Sequence, residues 1–388
     1  MDWSRKEKIC ALALNRIFGF EPKISHSLID SLGSASAVFE LPREELDALF
    51  GPYSRYPAMI NARELELAGT ELDGLEKKGA RFIPVSDKDY PQELKQCEDA
   101  PVGLYVLCSD DPANVFNTRP AVSVFGTRDI SPYGRECCRR LVDAVSRSSV
   151  RPAIVSGLAI GVDVTAHEAA LECGLPTVAV LPTGIDCVYP SRHRPVAERI
   201  VSTPGCALIT DYPPGTAPVA LNFLRRNRII AGLASSAVLV ESKMKGGGMM
   251  TARLAAGYGR ELFAIPGRVD DIRSGGCNRL IHDKLAEPIV SFDEVCPDLG
   301  LGRFERGRRE SLGERVARVY LSLPDEEVRR LASMAELIRK NRGIPIDELC
   351  PLMGMDYSGT AALAATLESD GIIEVDLLRQ CSIRTKIG

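Results

Sequence analysis

Three arginines in four residues, Arg225, Arg226 and Arg228, stand ahead of an apolar run from Ser236 to Val240. Lys243, Lys245 and three glycines, Gly246, Gly247 and Gly248, follow that run. This combination suits a site for several phosphates. Cations neutralise charge, and glycines let backbone N–H groups approach an anion. A lone helix or strand does not need such a composition to fold.

The same mixture recurs behind other apolar runs. Gly126-Thr127-Arg128 is followed by Ser131 and Gly134, and Ser156-Gly157 leads to Gly161, Asp163 and His167. Further on come Pro182-Thr183-Gly184, Tyr189-Pro190-Ser191-Arg192-His193, Asp211-Tyr212-Pro213-Pro214-Gly215 and Pro266-Gly267-Arg268. In an open parallel sheet, ligands gather outside the carboxyl ends of the strands. Six loops of this kind on one edge point to an anionic ligand, a polyphosphate or a nucleic-acid strand.

Other chemistries fit less well. No GxGxxG follows a strand, no GxxxxGK[ST] occurs and GxSxG is absent, so dinucleotide, P-loop and α/β-hydrolase signatures are all missing. Asp163 and His167, four residues apart, could share a helix face, but a metal needs more ligands than two. A hydrogen-bonded Asp–His pair that shapes the loop is the expectation. Ser156 lacks an evident base, so a capping or phosphate-donating role is expected. Asn222 reads as a helix N-cap and Phe223 as either a base-stacking or a core residue. Arg225, Arg226 and Arg228 cannot share one direction on a helix. One or two are expected in the site and another in a structural ion pair.

The elements that must carry these loops follow from periodicity. Strand-length apolar runs at 122–125, 153–155, 177–181, 207–209, 238–240 and 262–265 alternate with helical segments at 135–146, 164–172, 195–201, 223–233 and 250–258. That alternation predicts an α/β domain over residues 76–298, a parallel sheet covered on both faces. Residues 1–75 read as short helices at 11–17, 24–31, 35–41 and 44–50. Within them, residues 16–23 vaguely resemble a helix-hairpin-helix without its second glycine, so a small packing module is expected. Residues 299–325 hold an arginine-rich linker. Residues 326–388 follow a winged-helix grammar, with helices at 328–340, 346–350 and 358–369 and a strand from 371. The expected recognition helix, 358–370, has no Arg or Lys, which suits a protein contact better than DNA.

The chain has 388 residues, 45% hydrophobic and 26% charged, with a net charge of −4. A nucleic-acid site must therefore be a local patch on an acidic chain. Twelve scattered cysteines without a CxxC, no signal-like start and no membrane-length apolar run predict a cytoplasmic protein with reduced thiols.

At these residues the chain resembles the bacterial DNA-processing protein A family, DprA, also called Smf. The resemblance rests on Gly126-Thr127-Arg128, Ser156-Gly157-Leu158-Ala159 with Gly161, Asp163 and His167, and Ala179-Val180-Leu181 with Gly184 and Tyr189-Pro190. It continues through Asn222-Phe223, Arg226-Asn227-Arg228-Ile229-Ile230-Ala231-Gly232-Leu233, Val240-Glu241, Thr251-Ala252-Arg253, Pro266-Gly267 and Asn278-Arg279-Leu280-Ile281. It spans about residues 80 to 290.

The resemblance implies an extended Rossmann-like domain, with a small N-terminal helical (SAM-like) domain and a C-terminal winged-helix-like domain. It implies a single-stranded-DNA binder without sequence preference that protects incoming DNA in natural transformation and helps load the RecA recombinase. It also implies a homodimer formed through the Rossmann-like domain; from the residues themselves, no cofactor, metal or catalytic residue is expected. Arg128, Ser156, Gly157, Asn222, Phe223, Arg226 and Lys243 look like the family's DNA pocket. Gly126, Thr127, Arg225, Arg228, Lys245, Gly246 and Gly247 complete the candidate set.

Three departures stand out. Thr127 replaces a frequent serine, Ile160 a frequent arginine, and Gly246-Gly247-Gly248 a frequent Ser-Gly-Ser. A nucleotide-processing enzyme resembling the phosphoribohydrolases, or a nucleotide sensor, is the alternative. For the enzyme, the proline of the loop and a correctly placed glutamate are missing.

Overall fold

A nine-stranded sheet organises residues 80–288 in the computed structural model. The structure describes residues 3–51, 53–301, 316, 319–320, 323–341, 343–376 and 379–383. Its strands are β1 (Ala80–Pro84), β2 (Gly103–Leu107), β3 (Ala121–Phe125), β4 (Ala153–Ser156), β5 (Thr177–Val180), β6 (Ala207–Thr210), β7 (Ser236–Leu239), β8 (Glu261–Ala264) and β9 (Glu287–Pro288). The order is β1-β2-β6-β5-β4-β3-β7-β8-β9. From β6 to β9 every neighbouring pair is parallel, and β1 and β2 add an antiparallel hairpin at one edge.

The parallel strands β3 to β7 are buried throughout, as strands covered on both faces must be. Chain order runs outward from β3 to β6, then returns to β7 beside β3. The strand order therefore reverses between β3 and β7, and a crevice opens at that reversal. The helices Pro132–Ser146 and Val162–Glu172 contribute to the core on one face. The helices Ala220–Gly232 and Gly247–Gly257 contribute to that on the other.

Sequence periodicity anticipated the parallel strands from β3 to β8 but not β1, β2 or β9. The β1–β2 hairpin has a purpose legible only in three dimensions. Its Phe82 and Tyr105 pack against the N-terminal helices. The first of these, Trp3–Phe18, is charged in its first turns and apolar in its second half, where it buries Ile9 to Leu14. The Ala62–Lys77 helix, not anticipated because charge masks its apolar stripe, buries Ala68, Leu72 and Leu75. Buried Tyr105 donates its hydroxyl to Glu71 Oε1 (2.6 Å), and Asn15 Nδ2 donates to the Asp211 carbonyl (2.9 Å). The N-terminal helices and the sheet thus share one core.

The chain divides into two compact units, residues 1–305 and 306–388. In the first, Leu299 and Leu301 are buried beside Val295 and Ile289, past the sheet's last strand. In the second, helices Asp325–Lys340, Ile346–Met353 and Tyr357–Ser369 surround a core containing Leu331, Met334, Ile338, Leu349 and Leu367. Strands β10 (Ile344–Pro345), β11 (Ile373–Val375) and β12 (Gln380–Ile383) form an antiparallel sheet in the order β10-β12-β11. Asp356 caps the Tyr357–Ser369 helix through the Gly359 N–H (3.0 Å). Most of the arginine-rich stretch expected as a linker lies outside the described residues. All twelve cysteines are unpaired. No helix among the described residues is long and apolar enough to cross a membrane.

Behind the crevice, His167 is fully buried. Its Nδ1 bonds the Thr177 hydroxyl (2.7 Å), which in turn donates to the Ile154 carbonyl (2.8 Å). The expected Asp163–His167 pair does not form, because Thr177 on β5 presents the nearer partner. Burial, and then the Arg226 charge, push the imidazole down to about 3.

Two outcomes are expected. Leu12→Ala should destabilise the first unit by about 2–5 kcal/mol, and helices and sheet should melt together. A separate early transition for the N-terminal helices in a thermal scan would contradict the shared core. The second concerns pH. The folded chain keeps His167 neutral, whereas the unfolded chain protonates it below about 6.5. Its contribution is present above that value and is lost as pH falls toward 3, at about 1.4 kcal/mol per unit. His167→Asn should flatten this part of a stability–pH profile measured by urea melts. An unchanged slope would remove His167 as its source.

Candidate nucleic-acid interface

The crevice at the β3/β7 reversal is a cleft of about 660 Å³. Its floor depends on close backbone approach. A Cβ on Gly248 would lie 2.9 Å from Leu239 Cδ1 and 3.3 Å from Gly126 Cα, so the β3 and β7 loops meet glycine to glycine. The Thr127 N–H donates to the Glu241 carbonyl (2.8 Å), and the Val162 N–H to the Thr127 carbonyl (3.2 Å). Three strand-end loops are thereby laced together.

Glu241 anchors the next element. Its buried carboxylate accepts from Ser131 N (2.8 Å) and Ser131 Oγ (2.6 Å), at the start of the Pro132–Ser146 helix. A carboxylate suits a helix N-terminus. By contrast, no side chain caps the Gly247–Gly257 helix, whose N-cap is Gly246. Its first turn lines the cleft, where its N–H groups favour an anion.

The three clustered arginines diverge. Arg226 turns inward and is only 2% exposed. Its Nη1 donates to the Val180 carbonyl (2.6 Å), and its guanidinium lies so close to Gly157 that any Cβ there would overlap it. Burial pushes Arg226 down to about 10, opposed by the nearby Asp163 carboxylate, so it stays charged at neutral pH. Burial raises the Asp163 carboxyl, while Arg226 and the backbone N–H groups of Ala159 and Gly157 oppose that rise. Arg228 makes the structural ion pair expected of one of the three. It binds Asp211 Oδ2 and the Asp99 carbonyl, both at 2.5 Å. Arg225 lines a different cleft and lies over the Phe20 ring, 4.2 Å from its centroid.

Two further expectations are corrected. The helix starts at Ala220 with Val219 as N-cap, so Asn222 is not the cap. Pro218 and the extended Val219 bring the chain in earlier, and the Asn222 amide reaches back to the Ala217 carbonyl (3.4 Å). Ser156 is wholly buried and donates to the Val124 carbonyl (2.6 Å), bridging β3 and β4 rather than capping a helix.

Two kinds of surface line the cleft. One is aromatic and apolar, with Tyr189, Pro218, Phe223 and Leu224. Tyr189 and Phe223 meet edge to face at 5.6 Å, and Arg128 Cζ lies 4.7 Å from the Phe223 centroid. The other carries Thr127, Lys243, Lys245, Gly246 and Gly247. Asp129, also on this rim, places one oxygen 3.5 Å from both Lys243 Nζ and Arg273 Nε. Arg273, and then Lys243, hold the Asp129 carboxyl below its ordinary range.

Of the candidate residues, Gly126, Thr127, Arg128, Phe223, Arg226, Lys243, Lys245, Gly246 and Gly247 line this cleft. Ser156, Gly157, Asn222, Arg225 and Arg228 do not. Tyr189, Asp129 and Arg273 were missing from the candidate set. The bulky aromatic in the Tyr189-Pro190 loop was the available signal for the first. Nothing local singled out Arg273. Among the described residues, no group of His, Cys, Asp and Glu could hold a metal ion.

Residues 81–300 match the family model for DNA recombination-mediator protein A. A putative DNA processing protein DprA from Mycobacterium tuberculosis is 32% identical over 318 residues, covering 77% of this chain and 79% of that protein. Protein Smf from Synechocystis is 35% identical over 229 residues, 59% of this chain and 56% of its own length. This chain therefore matches just over half of the Synechocystis protein. The solved structure of DprA from Streptococcus pneumoniae superposes with a TM-score of 0.58 at 30% identity, covering 67% of this chain and 87% of that one. DprA from Helicobacter pylori, whose structure is described for its single-stranded-DNA binding mode, gives a TM-score of 0.50 at 28% identity, covering 56% and 95%. With its family match over more than half its length, the chain belongs to the DNA recombination-mediator protein A family.

Proposed function

We propose that the β3/β7 cleft binds single-stranded DNA without sequence preference. The observation that carries this reading is that aromatic side chains and cations line one cleft together. Bases present a π-face whatever their identity, and phosphates follow the cations. Bases stack on the Tyr189–Phe223 side, and the backbone tracks Arg128, Lys243 and Lys245 past the uncapped helix end. Duplex DNA hides its base faces, so a single strand is preferred.

Family membership supports the wider role of a recombination mediator. In that role the protein shields an incoming strand in the cytoplasm during natural transformation and passes it to RecA, acting as a homodimer through the sheet domain. The Tyr357–Ser369 helix of the second unit carries no Arg or Lys, which suits a protein contact there. The binding reading is favoured over the enzymatic one by the side chains that would perform chemistry. Glu241 is committed to Ser131, Ser156 to Val124 and His167 to Thr177.

If about four phosphates are neutralised, log K for an oligothymidylate should fall against log salt with a slope near −3. Arg128→Ala and Lys243→Ala should each weaken binding by about 1–2 kcal/mol with unchanged circular dichroism. A flat salt titration, or native affinity in both variants, would refute the assignment.

Asp129 should act in the opposite sense, since its carboxylate competes with phosphate for Lys243 and Arg273. Exposed ion pairs are worth little, so Asp129→Asn should tighten binding by only about threefold. Weaker binding by this variant in fluorescence anisotropy would show that Asp129 orders the cations instead.

A further inference from the structure

The Ala220–Gly232 helix separates two clefts. Phe223 and Arg226 face the first, and Arg225 and Arg228 face a second of about 610 Å³. The second cleft is bounded by Gly19, Phe20 and Lys23 from the N-terminal helices and by Asp211 and Tyr212 behind β6. Both clefts belong to the first unit.

Phe20 is the unusual residue here. It is 61% exposed at the turn between two helices that bury Ile17, Phe18 and Leu28. One side of its ring is flanked by buried Tyr212, 6.1 Å between centroids. Arg225 lies over the ring at 4.2 Å. The turn is held in place from beneath, because Asn15 of the preceding helix donates to the Asp211 carbonyl.

The charges around Phe20 divide into committed and uncommitted groups. Asp211 holds Arg228, the Asp99 carboxylate accepts from Tyr258, Glu21 accepts from Tyr56, and Glu98 faces Lys23 at 3.0 Å. Arg225 has no carboxylate partner among the described residues. Its guanidinium lies over the Phe20 ring. The Arg225 charge acts on the Asp211 carboxylate without forming a close ion pair, so an arginine stacked on an exposed aromatic offers a planar cationic platform.

The ground between the clefts is also unusual. Val219 and Leu221, at the start of the dividing helix, are each 51% exposed, and Leu224 beside them is exposed as well. A helix with its side chains is about 10–12 Å across. A few nucleotides of extended strand would span that crest, with bases over the apolar residues.

We propose that Phe20 and Arg225 form a second base-stacking subsite, which takes the continuation of a single DNA strand that leaves the β3/β7 cleft over Val219 and Leu221. The base stacks on the Phe20–Arg225 platform, and Arg225 meets a flanking phosphate. This assignment rests on the reading of the first cleft and extends its footprint to the N-terminal helices. It also gives Arg225 a role that its direction denies it in the first cleft.

The test uses the full chain, fluorescence anisotropy and two oligothymidylates. One, of about 5 nucleotides, fills a single cleft; the other, of about 20, reaches both. Phe20→Ala and Arg225→Ala should each weaken binding of the long strand about tenfold, because stacking of one base is worth about that factor or more. Neither should change binding of the short strand. Phe20→Tyr should retain affinity.

Phe20→Trp supplies an independent readout. Its added emission over the parent should be quenched by the long strand and not by the short one or by thymidine monophosphate. Native long-strand affinity in both alanine variants, with Arg128→Ala still impaired, would overturn the second subsite and leave the first cleft standing. Quenching of the tryptophan variant by the mononucleotide alone would likewise overturn it, in favour of a separate nucleotide pocket. If Arg128→Ala binds both strands normally, the first-cleft reading falls and this one with it.

Discussion

A guanidinium enclosed beneath the sheet's edge sets the geometry around it. An isolated charge in the interior is costly unless it is paired and hydrogen-bonded. Arg226 meets most of that demand with the Val180 carbonyl and the Asp163 carboxylate nearby, in space that Gly157 leaves for it, while its Nε stays without a partner among the described residues. Once Arg226 points inward, the rotation of its helix is fixed. Phe223 then faces the β3/β7 crevice and Arg225 and Arg228 the opposite groove. Gly157 is the room this arrangement requires, since any side chain there would overlap the guanidinium.

The parallel strands were legible because burial on both faces leaves an uninterrupted apolar run. The expected 122–125 segment is realised as Ala121–Phe125 and the expected 207–209 segment as Ala207–Thr210. The hairpin strands were not, since Arg81 interrupts β1 with an exposed charge and Gly103 opens β2. Arg128 and Lys243 were readable as loop cations because the carboxyl edge of a parallel sheet is a rule of topology. The directions of Arg225, Arg226 and Arg228 were not readable. Successive helix positions differ by about 100°, and only the packed partner decides which one is inside. Arg273 was invisible for another reason. It joins the site through Asp129, 144 residues earlier, with no local pattern to announce the pair.

Charge is economically arranged in this acidic chain. The cleft's cations are not concentrated into a uniformly positive surface; carboxylates are threaded among them. Asp163 lies below Arg226, Asp211 holds Arg228 and Asp129 spans Lys243 and Arg273. The buried acids keep arginine side chains in fixed positions. The exposed one softens the field at the rim, where a stronger field would hold any polyanion indiscriminately.

The order of the strands also has a consequence for synthesis. Arg128 is made early, at the end of the sheet's founding strand, yet its neighbours Lys243 and Arg273 follow more than a hundred residues later. At ordinary translation speeds that interval is on the order of ten seconds. During that time the nascent chain holds β3 without β7, and the crevice has only one bank. A growing polypeptide therefore carries no completed crevice. The groove closes only when the last third of the sheet leaves the ribosome.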